Sequence, residues 1–154
     1  MSKQTLFDKI VAGEVPNWKI WEDDKYLAFL TPFPNTPGFT VVIPKTNPGD
    51  YVFAVDDTEI LGLMKASKII AGLLEKALKV KRVAVVFEGT GVQHLHVKLI
   101  PLHGKLGSET NVGSTHQEFH PEYIGYITTT EGPRMNDEKL DAMQEKIRKY
   151  LHEG

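Results

Sequence analysis

Residues 82–101 read RVAVVFEGTGVQHLHVKLIP, the most informative segment of the chain for both fold and function. It predicts two β-strands, 82–88 and 93–101, joined by a glycine-containing turn. Side chains alternate between the two faces of a strand, so the second run has one polar and one apolar face. The polar face carries His94, His96 and Lys98, and the apolar face carries Leu95, Val97 and Leu99.

Two imidazoles and an ammonium on one strand face indicate a site built on a rigid scaffold. If that face were core, burying Lys98 without a partner would cost several kcal/mol. If it were plain surface, the histidines would need no explanation, so spacing alone favours function only modestly. A lysine beside the histidines argues against a metal cation and for an anion, of which phosphate is the commonest small one.

Composition sets limits on the function. The chain has 154 residues, which predicts one domain. Its formal net charge is −2, so we expect neither nucleic acid nor a membrane as partner. It has no cysteine, which excludes disulfides and thiolate chemistry. The N-terminal residues lack an apolar signal region and no run approaches membrane-spanning length, so we expect a cytoplasmic protein.

The upstream elements are a helix and a hairpin. Thr5 caps a predicted helix at 5–11, with Asp8 three residues on as an imperfect capping partner. Strands at 19–22 and 26–30 form the hairpin. Residues 31–38 contain three prolines and a glycine, which favours a stiff loop that either holds a ligand or only connects two strands.

A strand at 39–44, a short apolar run at 51–55 and a long helix follow. The helix begins at Asp56-Asp57-Thr58 and runs to about Lys79. Its apolar face is broad enough to pack on a sheet and on a further surface, such as that of a second subunit. The main stripe is Ile60, Leu63, Met64, Ser67, Ile70, Leu74, Ala77 and Leu78, and the residues that widen it are Leu61, Ile69 and Leu73.

The remainder of the chain has weaker patterns. Residues 102–133 are irregular apart from a possible strand at 123–128, and a final helix begins at Asn136 or Asp137. His116 and His120 superficially resemble a zinc-protease motif, but the intervening glutamate is displaced by one position. With His103 they form a possible metal site, although solvated loop residues are the favoured interpretation.

The motif Glu88-Gly89, then Val92-x-His94-Leu95-His96-Val97-x-Leu99-Ile100-Pro101, resembles the signature of the histidine-triad (HIT) nucleotide hydrolases and transferases. Further matches follow the same order upstream. They are Leu6-Phe7-x-Lys9-Ile10, Glu14-Val15-Pro16, Trp21-Glu22-Asp23-Asp24, Ala28-Phe29-Leu30, Pro34-x-x-Pro37-Gly38 and Val42-Ile43-Pro44-Lys45. The resemblance covers residues 5–101 of a single domain, and 102–154 form a C-terminal extension.

The resemblance implies an α+β fold, with an antiparallel sheet of about five strands and one long helix, and a homodimer. It implies a hydrolase for nucleotide phosphoramidates or dinucleotides, in which His96 attacks an α-phosphorus and His94 positions it. Lys98 completes the catalytic set. By the same resemblance a purine nucleotide or nucleotide conjugate binds at Leu6, Phe7, Ile10, Phe29, Thr31, Thr90 and Gly91. We expect no cofactor.

Five positions depart from what the resemblance leads us to expect. They are Lys98 for the third triad histidine, Thr31 for a ribose-binding acidic residue, Phe39 for a histidine, Phe87 for an asparagine and Thr90 for a glutamine. Thr5 and Asp8 replace the cysteine pair that carries zinc in some bacterial members, so we predict no metal. Three interpretations follow: an enzyme, which we favour, a nucleotide-binding module without efficient chemistry, and an interaction protein without nucleotide affinity.

Overall fold

The fold is α+β, as the resemblance implies: one five-stranded antiparallel sheet with the long helix packed on one face. This computed structural model describes residues 3–108 and 133–152. The strand order is β1-β2-β3-β5-β4. In chain order the elements are α1 (Leu6–Val11), β1 (Trp18–Glu22), β2 (Tyr26–Leu30), β3 (Thr40–Pro44), α2 (Asp57–Leu78), β4 (Val83–Glu88), β5 (His96–Pro101), α3 (Lys105–Ser108) and α4 (Asp137–Arg148).

Most predicted boundaries hold within a residue, but β5 begins at His96 and not at residue 93. The backbone before it forms a turn, in which the amide of His94 donates to the carbonyl of Val92 and that of Leu95 to the carbonyl of Gly49. The apolar run at 51–55 forms a 3₁₀ turn over Val52–Ala54, and α3 was not predicted. The possible strand at 123–128, His116 and His120 lie outside the described residues.

The sheet separates two apolar clusters, as the alternation in β5 predicts. Val97 and Leu99 are buried against α2, in a cluster that also holds Leu95. The opposite face carries a smaller cluster, in which Phe7 and Ile10 of α1 pack on β2 and β3. A full capping box between Thr5 and Asp8 fixes the start of α1.

Residues 3–108 and 133–152 cover the broad apolar face of α2 only in part. Leu73 is buried in the core, but Leu61 and Ile69 are exposed. Met64, predicted to lie in the main stripe, is also exposed, at 44% of its surface. Three large apolar side chains of this helix are therefore uncovered by the part of the chain that the structure describes.

The C-terminal helix α4 packs against β1, the edge strand of the sheet opposite β4. It packs Leu140 and Ile147 into the main core. The side chains of Gln144 and Arg148 both donate to the backbone carbonyl of Lys19 in β1. No helix among residues 3–108 and 133–152 has the length and hydropathy to cross a membrane.

Two glycines with positive φ differ in their surroundings, so substituting each one separates the cost of backbone strain from the cost of overpacking. Gly13 has φ +76° with open space around it, whereas a Cβ on Gly38 (φ +80°) would overlap Leu78 of α2. We expect Gly13→Ala to lower the free energy of unfolding by about 1–2 kcal/mol. Gly38→Ala should cost about 1–3 kcal/mol more, because it adds overpacking. Urea denaturation measures both, and equal losses would contradict the packing account.

Candidate active site

The ring of His96 is fixed by a hydrogen bond to the backbone. Its Nδ1 lies 2.7 Å from the carbonyl oxygen of His94. A carbonyl only accepts, so Nδ1 carries the proton and Nε2 keeps its lone pair. Within the described residues Nε2 has no hydrogen-bond partner, and the His96 side chain lines a cavity. The arrangement produces a neutral imidazole with one free nitrogen.

Burial keeps this imidazole neutral. His96 is 4% exposed, and the edge of Phe7 packs against its ring with the ring centroids 5.1 Å apart. Burial is the main cause that lowers the pKa of His96, and the Lys98 ammonium lowers it further. The bond to the His94 carbonyl and the Glu88 carboxylate oppose this shift without reversing it.

His94 lies behind His96 and does not line the cavity. Its Nε2 donates to the carbonyl of Pro44 at 2.8 Å, and its Nδ1 is 3.2 Å from the Thr5 hydroxyl. Burial lowers its pKa, while the Pro44 carbonyl and, more weakly, Asp8 raise it. His94 is therefore a buried neutral residue whose contacts hold its own backbone carbonyl in place for His96.

Lys98 is paired within the site. Its ammonium lies 2.6 Å from a carboxylate oxygen of Glu88, and only 12% of the Lys98 side chain is exposed. Burial raises the pKa of Glu88, but Lys98 and the Thr90 hydroxyl outweigh it and hold that pKa below its ordinary value. The sequence predicted an ammonium that attracts an anion; the pairing leaves this ammonium and carboxylate close to neutral as a unit.

A cavity of about 230 Å³ opens beside His96. It is lined by eight of the ten predicted site residues: Leu6, Phe7, Ile10, Phe29, Thr31, Gly91, His96 and Lys98. His94 lies beneath the site, and Thr90 is exposed and donates to Glu88. The lining residues that were not predicted as site residues include Val15, Asn17, Trp18, Val41 and Glu88, although Val15 and Glu88 belong to motifs that carry the resemblance. The signal for Glu88 in the sequence was the Glu88-Gly89 motif, and the antiparallel register sets Glu88 opposite His96.

Thr5 and Asp8 stand where the resemblance would place a zinc-binding cysteine pair, so their contacts bear on the prediction of no metal. Asp8 accepts from the backbone and the hydroxyl of Thr5, and His94 uses its Nε2 on Pro44. Residues 3–108 and 133–152 contain no group of three or more histidines, cysteines, aspartates or glutamates placed to hold a metal. Thr5 and Asp8 cap α1, and the Thr5 hydroxyl also contacts His94. The predicted lack of structural zinc stays a prediction.

Comparison with known proteins identifies relatives across most of the chain. A family model described as HIT domain matches residues 12–105. "Protein hit" of Bacillus subtilis is 29% identical over 139 residues, covering 87% of this chain and 96% of that protein. "Adenylylsulfatase HINT1" of Arabidopsis thaliana is 30% identical over 112 residues, covering 62% of this chain and 69% of that protein.

A solved structure extends the similarity to the whole fold. The Hit-like protein of Bartonella henselae, described as involved in cell-cycle regulation, is 26% identical and superposes with a TM-score of 0.70. The match covers 97% of this chain and 98% of the Bartonella chain. The similarity therefore extends beyond residues 12–105, the range that the family model matches.

The two buried histidines predict how stability depends on pH. Their pKa values lie below the ordinary value of 6.5, so the unfolded chain binds more protons as the pH falls. Their stabilising contribution is complete above pH 6.5 and declines below it, with a slope of up to about 1.4 kcal/mol per pH unit for each histidine. Chemical denaturation from pH 7 to pH 5 measures this slope.

His96→Gln is the matched variant for that experiment, because it keeps a polar side chain but cannot titrate. We expect its unfolding free energy to fall less steeply than that of the wild type over the same interval. Identical slopes would mean that His96 does not carry the pH dependence.

Proposed function

This chain belongs to the HIT domain family, and on that premise we propose that it hydrolyses nucleotide phosphoramidates or dinucleotides at the α-phosphorus. The observation that supports this most strongly is the state of His96, a neutral imidazole with Nδ1 bound to a backbone carbonyl and Nε2 free. An imidazole held this way is a nucleophile that needs no general base of its own. One relative is named as an adenylylsulfatase.

In the proposed reaction, Nε2 of His96 forms a bond to the α-phosphorus. The P–N or P–O bond to the leaving group breaks, the leaving group departs with that electron pair, and an amine leaving group takes up a proton from water as it departs. Water then attacks the same phosphorus, the P–Nε2 bond breaks, and a nucleoside monophosphate and a proton are released. The His94 carbonyl stabilises the positive charge that the ring of His96 carries while the bond to phosphorus exists.

Lys98 supplies a positive charge beside the nucleophile. We propose that its ammonium contacts a phosphate oxygen and stabilises the negative charge that grows there. Because Glu88 holds this ammonium at 2.6 Å, the carboxylate also orients it before substrate arrives. Glu88 then shares Lys98 with the phosphate, and this shared contact takes the place of the third histidine that the family pattern has.

The Lys98→Ala variant separates the proposed role of the ammonium in catalysis from its role as the partner of Glu88. We expect hydrolysis of adenosine 5′-phosphoramidate to fall by about 10²–10³-fold, the usual loss when one group that stabilises the transition state is removed. The variant should also lose about 1–3 kcal/mol of unfolding free energy, because Glu88 is left without its partner. The double variant Lys98→Ala with Glu88→Ala should regain stability but not turnover. Undiminished hydrolysis by Lys98→Ala would contradict the role of the ammonium.

A nucleotide-binding module without chemistry is the second candidate. The observation that favours it is the Lys98–Glu88 pair, which offers a phosphate less net positive charge than a lone lysine. The two candidates differ in turnover. Release of ammonia from adenosine 5′-phosphoramidate by the wild type but not by His96→Ala supports the enzyme, with His152→Ala as a control at an exposed histidine. Nucleotide binding without ammonia release supports the module.

We also propose that two copies of the chain associate through α2 and β4. β4 is an edge strand of the sheet, and Val85 on it is 43% exposed. It adjoins the uncovered side chains of Leu61 and Met64 on α2 in one shallow depression. An edge strand beside exposed apolar groups is a surface that a partner of the same chemistry covers.

A charge placed in this surface tests the dimer. We expect Val85→Glu to sediment as a monomer at micromolar concentration, where the wild type sediments as a dimer, because a carboxylate cannot be buried there unpaired. Phe53→Glu is the control, since Phe53 is 82% exposed but lies outside the depression. If Val85→Glu dimerises as tightly as the wild type, the interface lies elsewhere.

A further inference from the structure

A second cavity, of about 330 Å³, lies between the proline-containing loop (residues 31–38) and α4. Its lining is almost wholly apolar. The most deeply buried side chains that line it are Leu30, Phe39 and Leu140, each at most 4% exposed. The cavity has the volume and the apolar lining that are typical of a site for a small organic molecule.

This cavity is distinct from the one beside His96. Neither His96 nor Lys98 lines it, and α4 lines only the second cavity. Leu30, Thr31 and Phe39 line both cavities, so the start and the end of the proline-containing loop stand between them. A ligand in the second cavity would contact this loop from the side that faces away from the proposed nucleophile.

Hydrogen bonds hold the loop wall of the second cavity at two points. The amide of Met135, just before α4, donates to the carbonyl of Pro32 at 2.8 Å. The Nε2 of His103 donates to the carbonyl of Pro37 at 2.9 Å. Proline also restricts the backbone of this loop. The wall is therefore ordered before any ligand binds, which lowers the entropic cost of binding.

Two lysines of α4 give the second cavity a positive rim. Lys139 and Lys146 line it, both are exposed, and the described residues that line it include no carboxylate. Seven residues are two helical turns, so the two lysines lie on the same side of α4. Neither ammonium is in ion-pair distance of a carboxylate within residues 3–108 and 133–152. An apolar interior with a cationic rim matches a ligand that has an apolar body and an anionic end.

We propose that the second cavity binds a straight-chain carboxylate of medium length, with the chain inside the cavity and the carboxylate at Lys139 and Lys146. The apolar lining on the side of α4 includes Met135 and Met143, both partly buried. Methionine side chains are flexible and adapt to an alkyl chain. This inference goes beyond the proposed function and does not rest on it, because it concerns a different cavity and its test uses no nucleotide.

Titration with octanoate, followed by NMR of the methionine methyl groups, locates the binding. We expect the methyl signals of Met135 and Met143 to shift and to saturate. The signal of Met64 should stay in place, because Met64 is exposed on α2 and does not line the second cavity. Shifts of Met64 as large as those of Met143 would show unselective adsorption to apolar surface and would overturn the proposal.

Octylammonium, with the same chain and the opposite charge, is the matched ligand. We expect the wild type to bind octanoate on the order of tenfold more tightly at low salt, because two surface lysines attract one ligand and repel the other. The double variant Lys139→Gln with Lys146→Gln should lose most of this preference. Lys149→Gln should keep it, since Lys149 is exposed at the end of α4 but does not line the cavity.

Ala142→Trp tests the cavity itself. Ala142 lines it from α4 and is exposed, so a larger side chain there should fill the space and weaken binding of both ligands. Undiminished binding by this variant would place the ligand elsewhere. Equal affinity of the wild type for octanoate and octylammonium, or a preference that survives in the double lysine variant, would overturn the assignment of a carboxylate to the two lysines. Absence of octanoate binding by the wild type would overturn the proposal in favour of a protein segment as the occupant.

Discussion

The hydrogen bond from Nδ1 of His96 to the carbonyl oxygen of His94 is the constraint on which the site depends. It sets the tautomer, and the tautomer decides which nitrogen is free to react. The carbonyl is itself held by the turn before β5, since Leu95 donates to Gly49 and the Asn47 side chain donates to the carbonyl of Gln93. This turn is the irregular segment that shortens β5 relative to a regular strand.

The site combines burial with little net charge. His94 and His96 are buried and neutral, and Lys98 and Glu88 compensate each other. An unpaired ammonium beside a neutral imidazole would make binding of a phosphate stronger, but it would also be costly to hold in a partly buried position. The Lys98–Glu88 pair removes this cost and keeps a positive charge next to the place where charge grows in the proposed reaction.

Periodicity in the sequence predicted the elements and the two faces of β5, because both follow from the local geometry of the chain. The apolar residues Leu95, Val97 and Leu99 do pack against α2, and His96 and Lys98 do line a cavity. The start of β5 and the partner of Lys98 were not predicted. Each depends on contacts between segments far apart in sequence, which no local pattern records.

The final segment α4 could be predicted as a helix but not as a support for the site. Its contacts join Trp18 to Asp141 and Lys19 to Gln144, across more than a hundred residues. The structure accordingly joins two parts of the chain that the sequence analysis treated separately. A wall of the cavity beside His96 is held by residues beyond the 5–101 segment that carries the resemblance.

The role of His96 as the nucleophile is best tested by mass spectrometry of the protein quenched during turnover of adenosine 5′-phosphoramidate. We expect one adenylyl group attached to the peptide that contains His96, at the histidine ring, and none in His96→Ala. Turnover without such an adduct, or an adduct on a different residue, would contradict the role of His96 as the nucleophile.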